Sequence, residues 1–101
     1  MRLTIFSPKN TALNVLRRAG YSFLRQDGQT GEQSFAKRVG SADFPRFHVY
    51  AKQNEKGEIE VSLHLDQKKA SYKGVAAHSG EYDSAGWLAK EAEFLKQEFA
   101  K

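Results

Sequence analysis

The chain contains no cysteine, which excludes disulfides and every metal or redox site built on a thiolate. It holds no run of about eighteen apolar residues, so no membrane-spanning helix and no membrane partner are expected. The first residues lack a positive stretch followed by an apolar one, so no signal peptide is expected. A glycine-rich phosphate loop is missing too: Gly28 and Gly31 sit in a turn-like stretch with no helix after it. No serine-nucleophile motif, internal repeat or low-complexity segment is apparent. These absences point to a cytoplasmic location and favour a non-catalytic binding module over an enzyme.

What remains fits one α+β domain spanning residues 1–101. Its centre is Arg46 to Asp66, RFHVYAKQNEKGEIEVSLHLD. Phe47, Val49 and Ala51 alternate with Arg46, His48, Tyr50 and Lys52; Ile59, Val61, Leu63 and Leu65 alternate with Glu58, Glu60, Ser62, His64 and Asp66. Period-two alternation marks strands with one buried face. Gly57 suits the left-handed position of a type I turn closed by a G1 bulge. That turn pairs Asn54 with Glu58. It therefore sets His48 opposite His64, Tyr50 opposite Ser62 and Arg46 opposite Asp66. A one-residue slip would bury one strand's polar side chains.

Around this hairpin, Arg2–Phe6 reads as a short first strand. Ser7-Pro8 reads as a helix start, with the helix running to Ala19 and stopped by Gly20. Tyr21–Arg25 and Gln33–Val39 read as a second hairpin around Asp27–Gly31, with Lys37 breaking the pattern. A last helix spans Ala85–Ala100, with Leu88, Ala92, Leu95 and Phe99 in one stripe and Trp87 and Phe94 extending it. Glu91, Glu93 and Glu98 are expected on its wet side. Residues 67–83, QKKASYKGVAAHSGEYD, show no periodicity, and a loop of that length in a compact domain is usually functional.

The expected architecture is β-α-β4-α: a four- to five-stranded antiparallel sheet with two helices packed on one face. This order resembles the fold shared by TATA-binding-protein repeats and related small domains. The resemblance is one of element order and implies no activity.

Three functions follow from the exposed residues. Residues 1–56 hold ten Lys or Arg against four Asp or Glu, whereas residues 57–101 hold six against eight. Arg38, Arg46, Tyr50 and Lys52 on the sheet, with Lys68, Lys69, Tyr72 and Lys73 in the long loop, interleave cations with aromatics. RNA or DNA binding requires that pattern for backbone neutralisation and base stacking. The alternative is a divalent metal such as zinc held by His48, His64 and His78 with Asp66 or Glu81. An acid–base role, with Asp66 orienting His64, follows from the same cluster. A structural or protein-interaction role needs none of these groups.

Overall fold

The computed structural model describes residues 1–6, 10–67 and 84–101. Its elements are β1 (Arg2–Phe6), α1 (Ala12–Arg18), β2 (Ser22–Gln26), β3 (Gln33–Arg38), β4 (Arg46–Gln53), β5 (Glu58–Asp66) and α2 (Ser84–Ala100). The five strands form one sheet in the order β1-β5-β4-β3-β2, with every neighbouring pair antiparallel.

The β4–β5 hairpin has the register that its alternation predicts: Arg46 opposite Asp66, His48 opposite His64, Tyr50 opposite Ser62. Its turn is held by the Asn54 side chain, whose Oδ1 accepts the Lys56 and Glu58 amides at 2.8 and 3.0 Å. Gly57 takes φ +83°, the left-handed conformation that L side chains avoid. The β2–β3 turn uses the same chemistry. Asp27 Oδ1 accepts the Gln29 and Thr30 amides at 2.8 and 3.0 Å. The Thr30 amide, then that of Gln29, holds the Asp27 carboxyl below the usual range.

The first helix differs from its expectation. It begins at Ala12, and Thr11 is the cap, its hydroxyl accepting the Asn14 amide at 3.1 Å. Ser7 and Pro8 lie outside the described residues. The helix ends as expected at Gly20, φ +100°. There the Tyr21 amide donates to the Leu16 carbonyl and the Gly20 amide to the Arg17 carbonyl, the paired bonds of a Schellman end. This turn places Tyr21 in the core before β2 begins.

The core combines Val15 and Leu16 of α1, Phe35 of β3, Phe47, Val49 and Ala51 of β4, Ile59, Val61 and Leu63 of β5, and Ala92, Leu95 and Phe99 of α2. Phe35 is fully buried and meets Phe23 edge-on at 5.6 Å.

Two expectations for α2 are corrected. Glu91 and Glu98 are buried rather than wet, because distant cations meet them. Lys37 Nζ lies 2.6 Å from Glu91, and Arg18 Nε lies 3.2 Å from Glu98. Phe94, expected to extend the apolar stripe, is 36% exposed and lies beside the Lys37 ammonium at 4.7 Å.

Lys37 therefore does not interrupt β3 by accident. In register it shares the core side with Phe35, donates to the Ala19 carbonyl at 3.3 Å and lies 4.8 Å from the Tyr21 ring. The Tyr21 hydroxyl completes the cluster by donating to Glu91 at 2.7 Å. Burial, then the Glu91 carboxylate, pushes the Tyr21 pKa strongly up. Among the described residues no helix is long and apolar enough to cross a membrane.

Candidate functional site

Alternation along each strand sends a second set of side chains to the sheet face away from the core. The ladders align them in rows across the strands. One row is Arg38, Arg46 and Asp66. The next is Ser22, Ala36, His48 and His64. The third is Arg25, Ser34, Tyr50, Ser62 and Arg2. The fourth holds Lys52, Glu60 and Thr4, and Phe6 meets Glu58 beyond it. The first three rows hold four arginines and one carboxylate, Asp66. Lys52 faces Glu60, and Glu32 lines the same shallow depression of about 410 Å³. The polar face is thus basic toward Arg38 and Arg46 and acidic toward Glu58 and Glu60.

Aromatic rings occupy the middle of the basic part. His48 and Tyr50 stack with centroids 4.6 Å apart and planes 22° from parallel. His64 meets Tyr50 edge-on at 5.9 Å. Residues two apart on a strand point the same way, so this arrangement follows from sequence spacing plus the cross-strand register.

Asp66 bonds differently from the expectation. Its carboxylate reaches His48 Nδ1 at 3.2 Å and Arg46 Nε at 3.4 Å, through the same Oδ2. It orients His48, not His64. His64 instead places Nε2 3.0 Å from the Ser62 hydroxyl. His48 Nε2 is buried and has no hydrogen-bond partner among the described residues. A carboxylate on one ring nitrogen fixes the orientation of the imidazole and the direction of the other.

Of the residues proposed from sequence, Arg38, Arg46, His48, Tyr50, Lys52, His64 and Asp66 share this face. Lys68, Lys69, Tyr72, Lys73, His78 and Glu81 lie outside the described residues, as does most of the 67–83 loop. Among the described residues no group of three or more His, Asp or Glu side chains is placed to hold a metal ion, so His48, His64 and Asp66 do not make such a set by themselves.

Two arginines of the face were missed. Arg2 is signalled by the alternation of RLTIF, once that strand is paired with β5. Arg25 carries no such signal, because a register irregularity between Phe23 and Arg25 moves it onto this face.

No family model matches the chain, and neither a curated protein nor a solved structure matches it. The resemblance in element order therefore carries no function, and the site is read from its own chemistry.

Proposed function

We propose that the chain is a non-catalytic β-α-β4-α module, with both helices on one face of its sheet, that binds single-stranded RNA or DNA on the other. The observation carrying this reading is the His48–Tyr50 stack, edged by His64 and bordered by arginines from four different strands. Bases present flat apolar rings that stack on such side chains, while guanidinium groups neutralise the phosphates between them. A single strand fits better than a duplex, because the rings are reached only by bases that have left their own stack. Lys68, Lys69, Tyr72 and Lys73 follow β5 in the sequence and add cations and a ring to the residues this reading draws on.

Fluorescence anisotropy with a labelled mixed-sequence oligonucleotide tests the reading. Binding should weaken steeply with salt, and Tyr50→Ala should weaken it about five- to 150-fold, the worth of one stacked base. Binding unchanged in Tyr50→Ala, or no binding at low salt, sinks it.

A second reading rests on His48, whose Nδ1 is held by Asp66 and whose Nε2 has no partner among the described residues. That is how a metal-ligating imidazole is oriented. With His64 opposite it, and with His78 or Glu81 added, a divalent ion such as zinc would find nitrogen and oxygen ligands. Zn²⁺ should then shift the His48 and His64 side-chain resonances together, with the effect lost in His64→Ala. Resonances that ignore Zn²⁺ reject this second reading.

A further inference from the structure

At one corner of the sheet, where β2 starts, β3 ends and β4 starts, two arginines stand directly opposite each other. Arg38 of β3 and Arg46 of β4 are register partners on the polar face. Like charges in that position destabilise a sheet. Both line one cavity of about 470 Å³, together with Gly20, Ser22, Lys37 and Asp43.

The two guanidinium groups are only partly engaged. Arg46 stacks on the Phe44 ring at 4.9 Å and gives only its Nε to Asp66. Its two terminal nitrogens have no partner among the described residues. Phe44 and Asp66 hold the group in place, and the Arg46 side chain stays 31% exposed. Arg38 spends Nη1 on the Ser41 carbonyl at 3.1 Å. Its ion pair with Asp43 is 3.9 Å long, and the Asp43 side chain is 84% exposed. Such a pair contributes little and is readily exchanged for a better anion. Lys37 is neutralised by Glu91 and lends the cavity its stem rather than its charge.

We propose that this corner is a phosphomonoester site, in which Arg38 and Arg46 grip the terminal oxygens and Ser22 donates to a third. A phosphodiester has two charged oxygens sharing one charge, whereas a monoester carries nearly two charges and three acceptors. Two opposed guanidinium forks suit the latter. The site goes beyond the stacking reading, since a small phosphorylated molecule would fill it alone. Where a nucleic acid occupies the neighbouring rings, the corner takes its phosphorylated end, and only that arm rests on the function proposed above.

The test is a titration of the full chain with inorganic phosphate, followed by the side-chain Nε–H resonances of Arg38 and Arg46. Both should shift and saturate together. Arg38→Gln and Arg46→Gln should each weaken binding by at least about tenfold, as loss of a charge-assisted donor pair predicts. Lys90→Gln, on the outer side of α2, should change nothing. Arg38 is the more exposed of the two, so Arg38→Gln remains informative should Arg46→Gln fold poorly.

In parallel, an oligonucleotide with a terminal phosphate should bind more tightly than its hydroxyl-ended twin, and only while Arg38 and Arg46 are present. Phosphate binding with no oligonucleotide binding keeps the corner and rejects the stacking function, leaving a small phosphorylated ligand as its occupant. Failure of phosphate to saturate, or undiminished phosphate affinity in the Arg38→Gln/Arg46→Gln double variant followed by its backbone amide resonances, overturns the proposal.

Discussion

The cluster of Tyr21, Lys37 and Glu91 offers the sharpest test of how this fold is held together. Lys37 Nζ and Glu91 are 2.6 Å apart, and Glu91 also accepts the Tyr21 hydroxyl at 2.7 Å. At an effective dielectric of about 20 the Coulomb attraction over that distance is about 6 kcal/mol, before desolvation is charged against it. Desolvation removes most of it, so the pair itself stabilises the fold only modestly. Breaking the pair is another matter, because the survivor stays buried with an uncompensated charge, at about 3–5 kcal/mol. The Glu91 side chain is only 10% exposed, against 22% for Lys37. Glu91→Leu leaves Lys37 among three aromatic rings and strips Tyr21 of its acceptor, so about 4 kcal/mol is expected. Lys37→Met leaves Glu91 with the Tyr21 hydroxyl still donating, so the low end, about 3 kcal/mol, is expected.

The double variant removes both charges at once and should cost far less than the sum of about 7 kcal/mol, giving a coupling of about 2–3 kcal/mol. Urea unfolding followed by tryptophan fluorescence measures all four proteins, and a constant denaturant slope confirms that only stability has changed. Additivity within about 0.5 kcal/mol would refute the reasoning, since uncoupled side chains behave that way.

The same cluster predicts an alkaline limit. Tyr21 is held protonated in the fold by burial and by Glu91, while the unfolded chain releases that proton near pH 10. Above that pH the unfolded state binds fewer protons than the native state, so stability should fall by about 1.4 kcal/mol per pH unit. Tyr21→Phe should be less stable at neutral pH and should flatten the decline. At Gly57 an added Cβ would lie 3.8 Å from the Phe6 ring, an ordinary contact, so Gly57→Ala tests backbone conformation alone. It should lower stability by about 1–2 kcal/mol in chemical denaturation, the cost of a left-handed alanine. On the polar face, Glu60→Lys should extend the basic rows and steepen the salt dependence of oligonucleotide binding by about 0.7 in log–log slope. An unchanged slope places the strand elsewhere.

The central hairpin was legible because three local signals agree in it: alternation on both strands, an Asn that can fold back on its own turn, and a Gly at the one left-handed position. The polar face was legible for the same reason, since register carries every side chain with it. The buried carboxylates were not. Glu91 and Glu98 lie on a helix whose charges look solvated, and their partners are far away in sequence: Arg18 is 80 residues from Glu98, and Tyr21 is 70 from Glu91. Nothing within a helical window encodes such a meeting. The first helix misled for a nearer reason. Ser7-Pro8 and Thr11 are both competent starts, and only the accepted Asn14 amide shows that Thr11 caps the described helix. The histidine pair was legible as a pair. Which of its members Asp66 would hold was not, because neighbouring rows place that carboxylate within reach of both and side-chain packing decides.

Charge counted along the chain also misplaces the basic surface. The excess of cations in residues 1–56 spreads over both faces of the sheet and over α1. Arg18 and Lys37 are absorbed by buried glutamates. What concentrates charge is the antiparallel ladder. It turns β5 back along β4, so that Glu58 and Glu60 arrive beside Lys52 while only Asp66 arrives beside Arg46. Asp66, in turn, spends one oxygen on both Arg46 and His48. The basic end of the face therefore keeps two opposed arginines whose mutual repulsion no carboxylate fully relieves. A sheet can tolerate that at a corner open to solvent. It becomes an advantage only when an anion is the ligand, because the repulsion already present in the free protein is then released on binding.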